Sequence, residues 1–365
     1  MKFSDLDNHH MQRALALARK AKGTTFPNPA VGAVVVDAGG KVVGEGATSV
    51  CGGPHAEKLA IKKAGAAARG ATMFVTLEPC VHFGRTPSCV DEIIEAGVKK
   101  VITAVKDPNP LVNGKGLRKL KAHGIDVQTG LLARSAVLVN EDYCWSIVNK
   151  RPWVSIKLAM TLDGRIADCD DKSKWITSEA SRREVQEIRR YHSAIAVGRH
   201  TLLSDDPKLT ARCGRKTYYP ARIVFSSTGN IPADKYFLTH ADEARTIVVI
   251  GNSKKCVIER IDNVEYWYLG KKDVAESINT FLEMAYAEGL TSVLIEGGQK
   301  LASNFLEHDF VNKAYLFYGN KIFGNGKNGL MFSKGLPIEN SVYLDRVEHR
   351  SFGDDFFVSG YVNRI

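Results

Sequence analysis

Long apolar runs are missing from this sequence. No stretch approaches the roughly 18 apolar residues of a membrane-spanning helix. Residues Met1–Ala21 mix Asp5, Asp7, Arg13 and Arg19 into an amphipathic pattern, without the continuous apolar region of a signal peptide. The chain has 7 Cys, an odd number, which argues against a disulfide framework. We therefore expect a cytoplasmic protein in a reducing compartment.

Concentrated basic segments are also missing, although the net charge is +10 and the isoelectric point is about 9.1. A positive chain favours an anionic partner. The Lys and Arg residues are spread along the whole chain, without a basic tail or a basic run interleaved with aromatic residues, and this argues against nucleic acid. We expect no membrane partner either. A phosphorylated small molecule fits the charge best.

The 365 residues are long enough for two domains, and helical and strand-like patterns alternate in both halves. In the first half, two strand-like runs at Val31–Val36 and Lys41–Ala47 predict a hairpin, and a helix is predicted over His55–Ala64. Residues 131–148 are predicted to form one last helix. Helical periodicity stops near Arg151, so we predict α/β domains at 1–149 and 150–365.

The remaining predicted elements follow from the same periodicities. In the first half they are a helix around Met11–Ala18, strands at Ala71–Leu77, Lys99–Val105 and Ile125–Gln128, and helices at Ser88–Ala96 and Gly116–Ala122. In the second half they are strands at Trp153–Met160, Ala194–Val197, Arg222–Phe225, Thr246–Ile250 and Ser292–Ile295, and helices at Glu179–Arg190 and Asp273–Ala287.

One His and two Cys in the first half have the pattern of a catalytic zinc site. His55, Cys80 and Cys89 would supply three ligands and leave one position of a tetrahedral Zn²⁺ open for water. Zinc lowers the pKa of bound water from about 15.7 to roughly 7. Glu57, two residues after His55, can move the protons of a deamination. The pattern His-x-Glu followed by Pro-Cys is that of the zinc deaminases, which usually separate their cysteines by only two residues.

Two other interpretations of this pattern remain open at this stage. Cys51 is a candidate fourth ligand, and with it the zinc would be structural, as in an interaction protein. Alternatively, the chain is a nucleobase or RNA-editing deaminase with a second domain that only binds. Neither alternative explains the whole pattern, because a structural zinc has no use for Glu57, and residues 81–88 separate the cysteines by more than a nucleobase deaminase would.

The second half contains one candidate phosphate-binding turn. Glu296 ends a predicted strand, and Gly297 and Gly298 lead into a predicted helix whose free backbone amides can bind phosphate. The segment Gly324–Gly329 matches the dinucleotide pattern G-x-G-x-x-G in form only, since no helical pattern follows it. Lys157 also carries a reactive group type but has no defined role from spacing alone.

The chain resembles a known family in segments from both halves: Pro27–Gly32, Glu78–Cys89, Leu158–Arg165, Trp175–Ser178, Ser204–Thr210 and Glu296–Gly298. It is similar to the bifunctional deaminase–reductases of riboflavin biosynthesis, and the long cysteine spacing is typical of that family. The resemblance implies an N-terminal cytidine-deaminase-like αβα sandwich and a C-terminal dihydrofolate-reductase-like α/β domain. It implies zinc-dependent deamination of a phosphoribosylamino-pyrimidinone, followed by NADPH-dependent reduction of its ribosyl group.

The resemblance also assigns site residues. His55, Cys80 and Cys89 would be the zinc ligands and Glu57 the catalytic proton carrier. Implied NADPH-binding residues are Ala159, Trp175, Thr201, Asp205, Ser227 and Gly298, and implied substrate-binding residues are Asn28, Ser173, Arg189, Leu209, Arg212 and Glu296. Family members often carry Asp beside the serine of Ser227, where this chain has Ser226. We expect a homo-oligomer, a dimer or tetramer, as is common for such enzymes.

Overall fold

The computed structural model describes residues 3–81 and 88–364 and divides the chain into two compact units, Met1–Lys150 and Arg151–Ile365. The division falls one residue from the boundary expected from the sequence. None of the helices in the described ranges has the length and apolar character needed to cross a membrane. Each unit has its own sheet and its own core.

The first unit is a five-stranded sheet between two layers of helices. The strand order is β2-β1-β3-β4-β5. Its elements in chain order are α1 (Asp5–Ala21), β1 (Gly32–Val36), β2 (Val42–Ala47), α2 (Ala56–Ala64), a 3₁₀ turn (Gly65–Ala68), β3 (Thr72–Val75), α3 (Cys89–Glu95), β4 (Lys100–Thr103), α4 (Lys115–Ala122), β5 (Asp126–Thr129), α5 (Ala133–Val139) and α6 (Glu141–Asn149).

The layers follow from the apolar faces of these elements. Strand β1 is buried along its whole length because helices cover both of its faces. Met11, Ala14 and Leu15 of α1 pack with α5 on one face of the sheet. Helices α2, α3 and α4 cover the other face, with Ile93 and Leu120 fully buried. The predicted hairpin is the antiparallel pair of β1 and β2, and the αβα sandwich is confirmed.

The single helix predicted over residues 131–148 is wrong, because the chain breaks at Asn140 between α5 and α6. Asn140 has φ −122° and ψ 32°, outside the helical region. Its buried side chain accepts a hydrogen bond from the backbone N–H of Ala30 (2.9 Å) and donates one to the Ala30 carbonyl (2.8 Å). These two bonds satisfy both backbone polar groups of Ala30, which lies just before β1. Helical periodicity continues across this break, so the sequence pattern does not reveal it.

The second unit is built on a ten-stranded sheet with the order β13-β14-β12-β11-β8-β15-β6-β16-β19-β18. Its elements in chain order are β6 (Trp153–Thr161), β7 (Arg165–Ala167), α7 (Glu179–Arg190), β8 (Ala194–Gly198), α8 (Arg199–Asp205), β9 (Ala211–Cys213), β10 (Lys216–Tyr218), β11 (Ala221–Ser226), α9 (Tyr236–Thr239), β12 (Thr246–Ile250), β13 (Cys256–Ile261), β14 (Val264–Leu269), α10 (Val274–Ala287), β15 (Ser292–Glu296), α11 (Gln299–Glu307), β16 (Lys313–Gly319), β17 (Lys327–Asn328), a 3₁₀ turn (Ile338–Asn340), β18 (Val342–Phe352) and β19 (Asp355–Arg364).

The central strands, from β14 to β16 in the sheet order, run parallel, and the strands at both edges are antiparallel. Helices α10 and α11 pack on one face, where Phe281 and Phe305 are fully buried, and α7, α8 and α9 lie on the other. The carboxyl ends of parallel strands share one edge of the sheet, and this edge is where α/β proteins bind ligands. The predicted α/β class of both halves is confirmed.

Replacing Asn140 by Ala should destabilise the full chain by about 1–3 kcal/mol for each buried group left unpaired, because the Ala30 amide and carbonyl would lose their partners. The midpoint of chemical denaturation measures this effect. Asn149→Ala is the matched control, since in the part of the chain that the structure describes the exposed Asn149 side chain donates only to the Trp145 carbonyl of its own helix. Its effect should stay within about 0.5 kcal/mol. Equal shifts in the two variants would contradict the assigned role of Asn140.

Candidate functional site

The three predicted zinc ligands lie together in the first unit. The Nδ1 atom of His55 is 3.2 Å from the Sγ atom of Cys89 and 3.6 Å from that of Cys80. All three ligand atoms lie within 4.8 Å of one another. A tetrahedral zinc with bonds of about 2.3 Å to sulfur and 2.0 Å to nitrogen places such atoms roughly 3.5 Å apart. The donor types and the spacing therefore fit zinc.

Helix α2 holds His55 and Glu57 at its first turn. His55 is the N-cap residue with an extended backbone, and Glu57 is in the first turn and only 4% exposed. The helix lies very close to β2, since a Cβ atom on Gly46 would be 2.3 Å from the carbonyl oxygen of Ala56. Glycine at this position therefore allows the helix, and the two functional side chains, to lie directly against the sheet.

Hydrogen bonds to the Cys80 carbonyl hold the segments that carry the two cysteines together. Cys80 follows β3, and Cys89 is the first residue of α3. The Cys80 carbonyl accepts hydrogen bonds from the Ser88 hydroxyl (3.1 Å) and from the backbone N–H of Val90 (3.2 Å). These bonds fix the strand end beside the start of the helix. Residues 82–87, which belong to the motif between the cysteines, lie outside the described residues.

The titratable groups of this cluster shift one another's pKa values, lowering that of Cys80 and raising those of His55 and Cys89. Hydrogen bonding from Cys89, and then from His55, lowers the pKa of Cys80 to about 4, so this thiol ionises readily. The hydrogen bond with Cys80 raises the pKa of His55. Burial raises the pKa of Glu57 to about 7, and the Cys80 thiolate adds to this shift. A carboxyl group with such a pKa can both accept and release a proton near neutral pH.

Cys51, the candidate fourth ligand, is exposed and lies outside the group of ligand atoms that the described residues bring together. Among the residues that the structure describes, the group then has three protein ligands, the number typical of a catalytic zinc rather than a structural one. The geometry therefore favours the catalytic interpretation.

A buried carboxylate beside the metal site was missed in the sequence. Glu78 is 3% exposed and accepts hydrogen bonds from backbone N–H groups of Asp107 (3.2 Å), Gly114 (2.8 Å), Gly116 (3.0 Å) and Leu117 (3.3 Å). It stands two residues before Cys80. It thereby attaches the start of α4 and the preceding loop to the strand end that carries the ligand. The signal in the sequence was a carboxylate directly after a buried strand, which is ambiguous until its donors are known.

The loop that carries Asn28 lies at the same edge of the sheet. Strand β1 begins where β3 ends, because the two are antiparallel, and the N–H of Gly32 donates to the Thr76 hydroxyl (3.1 Å). Asn28 is half-buried four residues before this point, and its backbone N–H donates to the Thr25 carbonyl (2.9 Å). The predicted base-contacting residue is therefore on the metal-site side of the sheet.

In the second unit, a buried cluster of charges lies at the carboxyl end of the sheet. Glu296 is the last residue of β15 and pairs in register with Lys157 of β6. Arg189 of α7 forms a bidentate ion pair with Glu296, in which Nε donates to Oε1 (2.6 Å) and Nη2 donates to Oε2 (2.8 Å). Its third nitrogen, Nη1, donates to the Thr210 carbonyl (3.0 Å). The Lys157 Nζ atom is 4.0 Å from the Glu296 Oε2 atom.

Burial and pairing act in opposite directions on these groups. Burial opposes ionisation of Glu296, but the charge and hydrogen bonds of Arg189 outweigh it and lower the Glu296 pKa. Burial lowers the pKa of Lys157, and the charge of Glu296 only partly offsets this. Two cations thus share one buried anion. Arg189 was predicted to bind substrate, and the structure places it against another predicted substrate residue.

The predicted cofactor residues follow the same edge across neighbouring strands. Ala159 is on β6, Gly298 follows β15, Thr201 is in the helix after β8, and Ser227 follows β11. A Cβ atom on Gly298 would be 3.2 Å from the Thr201 Oγ1 atom, so the turn leaves room that only glycine provides. An open turn at a strand end, next to a hydroxyl group, fits the phosphates of a dinucleotide.

The remaining residues predicted to bind cofactor or substrate differ in their exposure and in their partners. Trp175 is 61% exposed, and the Arg182 guanidinium lies 4.4 Å from the centre of its ring. Asp205 forms an ion pair with Lys174 (3.5 Å), so it is already an anion with a partner. The other predicted substrate residues differ in exposure: Ser173 is half-buried, Leu209 is 1% exposed and Arg212 is exposed.

Glu78→Gln should weaken zinc binding roughly tenfold or more, the scale seen when outer groups that orient metal ligands are lost. The amide nitrogen of Gln would face N–H donors in place of a carboxylate oxygen. Zinc release to a chromogenic chelator and the absorption spectrum of the Co²⁺-substituted protein measure the change. Glu95→Gln, on the exposed face of α3, removes the same charge and should leave both unchanged. Identical zinc release in both variants would argue against a positioning role.

Two family profiles match the chain, one in each unit. The sequence profile of the cytidine and deoxycytidylate deaminase zinc-binding region matches residues 4–105, and that of the RibD C-terminal domain matches residues 152–358. The first match includes His55, Cys80 and Cys89. The second includes the whole buried cluster around Glu296. The family profiles thus assign a zinc-binding deaminase domain to the first unit and a reductase domain to the second.

Similar proteins match along nearly the whole chain. The riboflavin biosynthesis protein RibD of Aquifex aeolicus is 38% identical over 356 residues, covering 97% of this chain and 98% of that protein. RibD of Escherichia coli is 34% identical, with 90% and 92% covered. A diaminohydroxyphosphoribosylaminopyrimidine deaminase/5-amino-6-(5-phosphoribosylamino)uracil reductase structure from Thermotoga maritima has a TM-score of 0.83 at 38% identity, covering 99% of each chain. The chain belongs to the RibD family of bifunctional deaminase–reductases of riboflavin biosynthesis.

Proposed function

We propose that the two units catalyse successive steps on one phosphorylated pyrimidine. The first step is hydrolytic deamination of 2,5-diamino-6-ribosylamino-4(3H)-pyrimidinone 5′-phosphate. The second is NADPH-dependent reduction to 5-amino-6-ribitylamino-uracil 5′-phosphate. The observation that carries the proposal is the presence of a three-ligand metal site with a buried carboxyl group in one unit and a charged strand-end site in the other.

In the deaminase unit, His55, Cys80 and Cys89 would hold zinc, which supplies an acidified water at neutral pH. Glu57 takes a proton from that water and delivers it to the departing amine. The water oxygen replaces the amino group on the pyrimidinone carbon, and ammonia leaves. The raised pKa of Glu57 supports this role, since the group must be protonated and deprotonated in one cycle. Asn28 orients the base from the loop before β1.

In the reductase unit, the predicted cofactor residues along the strand ends would hold NADPH, which would supply a hydride to the ribosyl carbon that is bonded to the base nitrogen. A proton must reach the ring oxygen so that the ribose opens to ribityl. We assign this proton to Lys157, because burial lowers its pKa and makes it a readier donor. Asp205 is the weaker candidate, since it is an anion paired with Lys174. Glu296 holds Lys157 and Arg189 in place.

The substrate phosphate needs a cation that is not already neutralised. Arg189 is bound at both nitrogens to Glu296, whereas no group among the described residues pairs with the guanidinium of the exposed Arg212. Arg212 is therefore the better phosphate ligand, with Leu209 and Ser173 as the other substrate contacts. An RNA-editing deaminase with a non-catalytic second domain is not favoured, because the second unit matches the RibD C-terminal domain over residues 152–358. The homo-oligomeric state remains an expectation.

Glu57→Gln should lower the rate of ammonia release by about 10²- to 10⁴-fold, because the proton carrier is lost while the shape is kept. NADPH oxidation with the deaminated intermediate as substrate should continue at the wild-type rate. Both rates are measured on the same full-length preparation, one by an ammonia assay and one by absorbance at the nicotinamide band. A parallel loss of both rates would show that the two sites are not separable.

Glu296→Gln should lower the reductase rate roughly a hundredfold, since it leaves Lys157 and Arg189 as buried cations without an anion, at a cost of about 3–5 kcal/mol. Glu296→Asp keeps the charge and should recover part of the rate, which separates a charge effect from a packing effect. Ammonia release by the deaminase unit is the internal control for folding. An unchanged reductase rate in Glu296→Gln would exclude the proposed role.

A further inference from the structure

An arginine that no predicted role includes stands at the ligand-binding edge of the second unit. Arg199 follows the last residue of β8, Gly198, and its side chain is half-buried. The Arg199 Nε atom donates a hydrogen bond to the carbonyl oxygen of Asn230 (2.7 Å), in the loop after β11. Within residues 3–81 and 88–364, no carboxylate forms an ion pair with it. Its position is thus fixed by a neutral group, and its charge is not neutralised.

The neighbouring strand ends form a continuous polar rim with Arg199. The parallel register pairs Gly198 of β8 with Phe225 of β11, so Arg199 begins beside the end of β11. Ser227, the first residue beyond β11, is exposed. The backbone N–H of Asn252 donates to the Ser227 carbonyl (3.0 Å), which extends the pairing of β11 and β12 past their ends. Arg199 and Ser227 therefore follow the ends of two neighbouring strands on this rim.

The rim lies on the path expected for the cofactor, and this inference rests on the proposed function. Gly297 and Gly298 follow β15, the strand beside β8, and both approach Thr201, two residues after Arg199. Neighbouring strands are about 4.8 Å apart, so the end of β11 lies roughly 10 Å from the glycine turn. With the nicotinamide near Ala159 on β6 and the pyrophosphate at the glycine turn, the adenosine half extends towards β8 and β11.

The charges on the rim distinguish the two nicotinamide dinucleotides. Sites for NAD place a carboxylate after the strand to bind the ribose 2′-hydroxyl, whereas sites for NADP place an arginine there for the 2′-phosphate. Residues 226–230 and 251–255 contain no Asp or Glu. Ser226 is 5% exposed, and its hydroxyl accepts a hydrogen bond from the N–H of Gly229 (3.0 Å), so it shapes the turn instead of facing a ligand.

We propose that Arg199 binds the 2′-phosphate of NADPH, with the Ser227 hydroxyl as a second donor, and that it determines the preference for NADPH over NADH. An arginine can donate two parallel hydrogen bonds to a phosphate. Because its Nε atom is held by Asn230, the two terminal nitrogens of the fork remain for the ligand.

Isothermal titration calorimetry with 2′,5′-ADP and with 5′-AMP tests the site without any turnover. The full-length protein should bind 2′,5′-ADP more tightly, and Arg199→Ala should lose roughly ten- to hundredfold of that affinity, the value of a hydrogen-bonded charge pair. Affinity for 5′-AMP should change less than about twofold in the variant. Arg183→Ala is the control, since Arg183 is an exposed arginine of α7 that pairs only with Glu179 in the described residues.

Steady-state rates with the deaminated intermediate complete the test. In Arg199→Ala the KM for NADPH should rise and the KM for NADH should stay constant, while Arg199→Lys should retain part of the preference. Equal weakening of both cofactors would show that Arg199 only holds the Asn230 loop, and would overturn the inference, as would an unchanged KM ratio. Failure of the wild-type protein to oxidise either dinucleotide would instead overturn the proposed reductase function.

Discussion

The need to give a buried carboxylate its hydrogen-bond donors organises both sites. An unpaired carboxylate in a protein interior costs several kcal/mol, so the surrounding chain must supply N–H groups or cations. Glu78 receives backbone N–H groups from a loop and a helix start, and this fixes the strand end before Cys80. Glu296 accepts two hydrogen bonds from the guanidinium of Arg189, and this fixes α7 against the sheet. In each unit the satisfied carboxylate lies next to residues for which we propose a role in the reaction.

Glu57 differs from the other two buried glutamates in its pKa, which suits the proposed transfer of protons. It is as deeply buried as Glu78 and Glu296, but burial and then the charge of the Cys80 thiolate raise its pKa to about 7, and the hydrogen bonds that it receives do not offset these effects. The same side chain thus serves as a fixed anion or as a proton carrier, depending on its neighbours. This difference explains why the three glutamates cannot exchange functions, although each is almost fully excluded from water.

Sequence patterns predicted what depends on periodicity and on ligand chemistry. The hairpin of β1 and β2 and helix α7 follow from local spacing, and the zinc ligands follow from residue types that few other sites combine. The break at Asn140 was not predictable, because its cause is a pair of bonds to Ala30, 110 residues away. The donors of Glu78 are also distant in sequence. The long strands β18 and β19 were not predicted, because their sequences were not assigned a strand-like alternation of apolar and polar residues.

The net positive charge of the chain does not indicate which arginine binds a phosphate. That depends on whether the arginine already forms an ion pair with a carboxylate. Arg189 lies at the carboxyl end of the second unit's sheet but is bound to Glu296, so the charge of its guanidinium is already offset by a carboxylate. A phosphate gains most from a guanidinium that lacks a carboxylate partner and is already held in position. Arg199 meets both conditions through its bond to the Asn230 carbonyl, a neutral acceptor that orients the side chain without consuming its charge. Because Glu296 already pairs with Arg189, we expect anionic ligands to bind to the other arginines. These are Arg199, which a neutral carbonyl holds in place, and Arg212, which is exposed to solvent.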